Sequence, residues 1–163
     1  MMLKMPPQSI LIERTPDRVW DVITKAELSD EWRNANFATD WQPGSRIAIV
    51  ATVGTKSYRD KGVVLRADEP WMLQYSYWSR VSGLPDLPEN HSMITLCLEA
   101  ENVQTRLTVE QNVPPSPPRR GNGWETSEDS GLKHWQFYWR VALPILKRIA
   151  EQESQDVHPL VSG

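Results

Sequence analysis

The stretch that decides the fold is RTPDRVWDVITKAELSDEW, Arg14 to Trp32. It begins as a helix: Thr15 suits the cap, Pro16 the first helical position and Asp17 the positive end of the dipole. The apolar set Val19, Trp20, Val22 and Ile23 lasts about two turns. A second short segment follows at once and ends on Trp32. Helices this short are marginal alone, so Trp20 and Trp32 must pack against something larger. Both could be core, or Trp32 could face a cavity.

Upstream, Gln8 to Glu13 reads as a strand running into the Thr15 cap. Downstream, strand signals dominate, punctuated by Pro43-Gly44 and Gly54-Thr55. Ile47, Ile49 and Ala51 alternate with Arg46, Ala48 and Val50, as a strand with one core face should. After a break at Asp68-Glu69-Pro70, Leu73, Tyr75 and Tyr77 alternate with Gln74, Ser76 and Trp78. SGLPDLPEN (Ser82 to Asn90) is a loop. Ile94, Leu96 and Leu98, then Leu107, Val109 and Gln111, mark two more strands joined by the polar turn EAENVQT. Successive strands with short joints form an antiparallel meander.

NVPPSPPRRGNGWETSEDSG (Asn112 to Gly131) is rich in Pro, Gly and Ser and forms no regular element. Beyond it, Trp135, Trp139, Ala142 or Leu143, Leu146 and Ile149 recur at helical spacing. Lys147 and Arg148 suit the C-terminal end, and Pro144 is expected to kink the helix. Residues 154–163 read as a flexible tail. The order is therefore strand, two short helices, about six antiparallel strands and one long helix, an α+β chain. A sheet with one apolar face needs a cover, and only the terminal helix is large enough. No linker separates two cores, so residues 1–163 read as a single domain.

The bulk properties narrow the function. At 163 residues the chain can bury a full core without disulfides or metals. A net charge of -3 and the lack of any basic run argue against nucleic acid as a partner. No window approaches a membrane span, and MMLKMPPQSI lacks a signal-peptide core. With a single cysteine, Cys97, this points to the cytoplasm. Eight Trp against two Phe is an unusual aromatic load. Trp carries an N–H that wants a partner, so the load fits either a Trp-built core or the lining of a partly open cavity.

This order of residues resembles the SRPBCC superfamily, with the helix-grip fold of START domains and birch-pollen allergens (Bet v 1-like). Within it the chain resembles the family related to the heat shock protein 90 ATPase activator. The stretches that carry the resemblance are ERTPDRVWDVITKAELSDEW, DWQPGSRIAI, KGVVLRADEPWMLQYSY, SMITLCLE with TRLTVEQ, and WRVALPILKRIAE. It implies a curved antiparallel sheet of about six or seven strands wrapped around the long C-terminal helix, with two short helices after the first strand. The superfamily spans binders, cyclases, oxygenase subunits and co-chaperones, so it does not fix a function. The long loops and Pro144 depart from its pattern.

Catalytic signals are sparse. His91, His134 and His158 are scattered, so no metal site or cofactor is expected. GTKS (Gly54 to Ser57) lacks the glycines of a phosphate loop and reads as a hairpin turn. Cys97 alternates away from Leu96 and Leu98 with nothing to activate it. The acidic pairs Asp30-Glu31, Asp68-Glu69 and Glu128-Asp129 read as solvated. Tyr58, Tyr75, Tyr77 and Thr95 are the hydroxyls that could orient a ligand in an apolar site.

The leading expectation is a non-enzymatic protein that binds a small hydrophobic or amphipathic molecule between sheet and helix. The walls would be Trp32, Trp41, Ile47, Ile49, Tyr75, Tyr77, Ile94, Leu96, Leu107, Val109, Trp135 and Trp139, with Trp124 as a lid. The alternatives are a protein-interaction module, with a chaperone or other protein as partner, and a cyclase-like enzyme. The oligomeric state is not legible.

Overall fold

A computed structural model describes residues 1–118 and 126–152 of the chain. Seven strands form one antiparallel sheet: β1 (Leu3–Ile12), β2 (Ala35–Ala38), β3 (Arg46–Val53), β4 (Lys56–Asp68), β5 (Met72–Tyr77), β6 (Ser92–Glu101) and β7 (Gln104–Val113). Their order is β1-β7-β6-β5-β4-β3-β2, so β1 and β2 are the edges. The helices α1 (Pro16–Thr24) and α2 (Ala26–Arg33) connect those two edges, and α3 (Ser130–Glu151) covers the sheet. This is the helix-grip architecture.

The turns follow the expected chemistry. Val53 pairs with Lys56 across Gly54-Thr55, with Gly54 at φ 62°. Glu101 pairs with Gln104 across Asn102-Val103, with Asn102 at φ 59°. Two-residue hairpins need such left-handed positions, and Gly and Asn supply them most readily. Curvature has local causes as well. The β1–β7 register shifts between Met5 and Gln8, and the β4–β5 register shifts between Val64 and Arg66. At Gly62 a Cβ would stand 2.0 Å from the Ser76 carbonyl oxygen, so only glycine allows β5 to approach there.

The apolar faces read from the sequence point to α3. Ile47, Ile49, Leu73, Tyr75, Tyr77, Ile94, Leu96, Leu98, Leu107 and Val109 are all buried, as are Trp139, Ala142, Leu143, Leu146 and Ile149 from the helix. Trp20 is core as well, at 5% exposure.

Several local expectations change. β1 begins at Leu3 rather than Gln8, because Pro6-Pro7 falls at the bulge of an edge strand, where a missing donor is tolerated. Thr15 stands at the N-cap position of α1 but makes no side-chain capping bond. α3 starts at Ser130 and takes in Gly131, where a Cβ would lie 2.9 Å from Ser116 Oγ. The Gly131 N–H donates to that same hydroxyl, at 2.8 Å. Ser116 and Pro117 are tied to the start of α3 there, since Ser116 N–H also donates to the Glu128 carbonyl and Thr126 Oγ1 to the Pro117 carbonyl. α3 runs through Pro144, whose side chain is exposed.

Candidate functional site

The site grows from the last turn of α2. Ser29, Trp32 and Arg33 are its buried residues, spaced so that all three face inward. Asn34 then takes a left-handed conformation, φ 55°, and turns the chain into β2. Phe37 on β2, Trp41 just beyond it, Tyr75 and Tyr77 on β5, and Trp135, Tyr138 and Trp139 on α3 close around this point. The rings touch in sequence: Phe37 stacks on Trp41 at 6.2 Å and meets Tyr75 edge-on at 5.8 Å. Tyr77 meets Trp135 at 5.2 Å, and Trp32 meets Trp139 at 6.1 Å. Such tilted and edge-on pairs contribute about 0.5–1.5 kcal/mol each beyond area burial.

Within this cluster lies a cation. Arg33 is only 2% exposed. Its Cζ sits 4.2 Å from the ring centroids of both Trp32 and Phe37, and 5.6 Å from those of Trp41 and Tyr75. Nη1 donates to Tyr75 Oη and Nη2 to the Ile23 carbonyl, each at 2.9 Å. Nε has no partner. Arg33 belongs to none of the ion pairs among the described residues. Desolvating a charge costs several kcal/mol, and cation–π contacts of about 2 kcal/mol with two neutral acceptors offset only part of that. The Tyr138 hydroxyl donates to the Arg33 carbonyl at 2.9 Å, which ties α3 to the same residue. Burial pushes the Tyr138 phenol up, and the Arg33 charge opposes it.

Two further polar groups reach this end. Tyr77 Oη donates to Asp60 Oδ2 at 2.7 Å, and the Arg80 N–H donates to Asp60 Oδ1 at 2.9 Å. Burial first, then the Asp60 charge, raises the Tyr77 phenol well above its ordinary range. Both Asp60 oxygens are thus engaged, which makes it a tie between β4, β5 and the following turn. Trp139 Nε1 donates to Gln111 Oε1 at 2.7 Å, which fixes the amide's orientation and leaves Gln111 Nε2 buried without a partner.

The expected wall residues come together. Trp32, Ile47, Ile49, Tyr75, Tyr77, Ile94, Leu96, Leu107, Val109 and Trp139 are buried in one cluster, with Trp41 and Trp135 partly buried against it. Their side chains fill the groove by touching one another. Trp41 is the outermost of the rings around Arg33; its Nε1 donates to the Thr24 carbonyl at 2.9 Å. Its φ of 58° is strained for a bulky residue, at a cost of about 1–3 kcal/mol. The lid residue Trp124 lies outside the described residues. Thr95 does not face the groove: it bonds Gln74 Nε2 on the other side of the sheet, as its alternation with Ile94 and Leu96 requires. Tyr58 lies near the β3–β4 turn, away from the cluster.

Sequence reasoning missed Arg33 and Asp60. Arg33 lies one residue beyond the segment read as ending on Trp32, and nothing in its spacing marks it as buried. Asp60 is flanked by the charges of Arg59 and Lys61, yet it shares parity with the buried Gly62 and Val64.

Two depressions lie on the surface. One, of about 430 Å³, lies along α3 around Pro144, Lys147 and Glu151. The other, of about 450 Å³, follows β3 and β4 beside His91. Among the described residues no three His, Cys, Asp or Glu side chains gather as metal ligands, and no helix is long and apolar enough to cross a membrane.

Solved structures share this architecture. The solution structure of ChR145 from Cytophaga hutchinsonii is 28% identical, with a TM-score of 0.68 over 91% of this chain and 94% of that one. Ara h 8.0201 is 12% identical, with a TM-score of 0.63 over 93% of this chain and all of that one, 100%. DynU16, a protein of the dynemicin biosynthetic locus, is 16% identical, with a TM-score of 0.65 over 91% of this chain and 47% of that one. The two likenesses below 25% identity speak to fold alone. No curated protein matches. The family model described as Activator of Hsp90 ATPase homolog 1-like protein matches residues 13–151, from the end of β1 to the end of α3, and the chain belongs to that family.

Proposed function

We propose that this chain is a single-domain, non-catalytic protein that binds a small amphipathic molecule between the sheet and α3. One observation carries the reading: a buried guanidinium and the Tyr75 hydroxyl converge inside an otherwise aromatic cluster. Ligand sites are mostly apolar with a few placed polar groups, whereas a core built only for stability has no use for a lone cation. The single free Cys97 suits a cytoplasmic setting for such a protein.

A protein-interaction module is the second reading. Phe137 and Val141, one turn apart on α3, are 62% and 46% exposed. Titration of the labelled protein with the neutral probe 2-naphthamide, followed by NMR of the indole N–H signals, separates the two. Saturable binding that shifts the Trp32, Trp41 and Trp139 indoles is the expected result. Shifts confined to the Phe137–Val141 face would count against the groove.

A further inference from the structure

We infer that the molecule held in the groove is an anion: a planar aromatic carboxylate, paired with Arg33 and stacked on Phe37 where the Trp41 ring now lies. The inference rests on the binding reading above and names the ligand's chemistry.

A guanidinium offers five N–H donors, and in Arg33 two hydrogen bonds are made, both to neutral oxygens. The buried Nε has none. The acidic residues next to it in the chain are turned elsewhere: Asp30 accepts from Asn36 Nδ2, and Glu31 pairs with Arg148. Among the described residues the protein thus buries a permanent cation and gives it no direct ion-pair partner. An anion from outside would meet a site already desolvated and already oriented, which is where a charge-assisted bond is strongest.

The shape selects a carboxylate. The Trp32 and Phe37 ring centroids lie 4.2 Å from Arg33 Cζ, so rings crowd the guanidinium, and its unpartnered Nε is a donor left for a ligand. A flat carboxylate matches a flat guanidinium edge-to-edge. The surrounding walls are rings, which favour a planar aromatic body.

The route in passes Trp41. Of the rings around the cation, Trp32, Phe37 and Tyr75 are 7% exposed or less, and Trp41 alone is partly open. Its ring lies on Phe37 at an interplanar angle of 23°, a near-parallel stack that a ligand ring could take over. The positive φ of Trp41 marks a backbone held away from its preferred state, which its displacement would relieve.

The test is calorimetric titration of the full chain at pH 7 with 2-naphthoate and with its neutral isostere 2-naphthamide. The expected result is one site with naphthoate bound at least tenfold tighter. That preference should disappear in Arg33→Met and survive in part in Arg33→Lys, which keeps the charge should the Met variant fold poorly. Trp41→Ala should tighten naphthoate severalfold by clearing the Phe37 face. Equal saturable binding of both probes, or a preference unchanged in Arg33→Met, overturns the anion and leaves the groove reading standing. Saturable binding of neither probe overturns both. Weaker naphthoate binding in Trp41→Ala overturns the route past that ring.

Discussion

The two ends of the groove are built differently. At one end Ile12, Val19, Leu146 and Ile149 form an aliphatic core, none more than 5% exposed. Polar groups around it are paired: Lys147 donates to the Leu11 carbonyl, Arg18 to the Ile149 and Ala150 carbonyls, and Thr105 to the Arg14 carbonyl. At the other end rings replace aliphatic chains. There Arg33 Nε and Gln111 Nε2 are the two buried side-chain atoms without a partner among the described residues. Stability alone explains the first end. The second carries polar groups that a core would be better without, and the proposed binding role accounts for them.

If the division holds, substitutions at the two ends separate stability from binding. Trp139→Ala should have the largest effect, a loss of about 3–5 kcal/mol in urea melts, because it empties a fully buried site and strips Gln111 of its donor. Against a total of about 5–15 kcal/mol it threatens the fold itself. Leu146→Ala, fully buried at the aliphatic end, should cost about 2–5 kcal/mol and leave the probe affinity of the folded protein unchanged. A matching loss of affinity would erase the distinction between the ends.

Alkaline pH should sharpen it. Burial raises the Tyr77 phenol above its ordinary value of 10.0, so the folded state favours the protonated form. The contribution is complete below about pH 10 and is lost as pH rises beyond it. Tyr77 alone should cost about 1 kcal/mol by pH 11, and Tyr77→Phe should flatten that limb of the stability profile. An unchanged profile would remove Tyr77 from the account. The smallest effect belongs to the outer face of α3, where Phe137→Ser should shift stability by no more than about 0.5 kcal/mol and leave probe binding unaltered.

The fold was legible because its signals are periodic and redundant. Leu73, Tyr75 and Tyr77 declared an inward face by alternation, and Trp139, Leu146 and Ile149 declared a stripe by helical spacing; in both cases burial follows the pattern. Pro6-Pro7 hid the start of β1 because proline excludes a central strand, and this strand lies on an edge. The burial of the residues expected as walls was legible because they are apolar residues on inward faces. Arg33 could not, since no periodicity announces a buried cation: Ser29, Trp32 and Arg33 share a face only once α2 is known to end after Arg33. Asp60 was within reach, because its parity with Val64 outweighs the charges on either side.

The central claim is that Arg33 is kept for a ligand and contributes little net stability. Urea denaturation of Arg33→Met beside the parent tests it most directly. Methionine fills similar apolar space and removes the desolvation cost while giving up two hydrogen bonds and the ring contacts, so these effects nearly cancel. The account predicts a variant within about 1 kcal/mol of the parent, or more stable, with the preference for naphthoate over naphthamide gone. A loss of about 3–5 kcal/mol would instead make Arg33 a structural element of the aromatic end and contradict the claim.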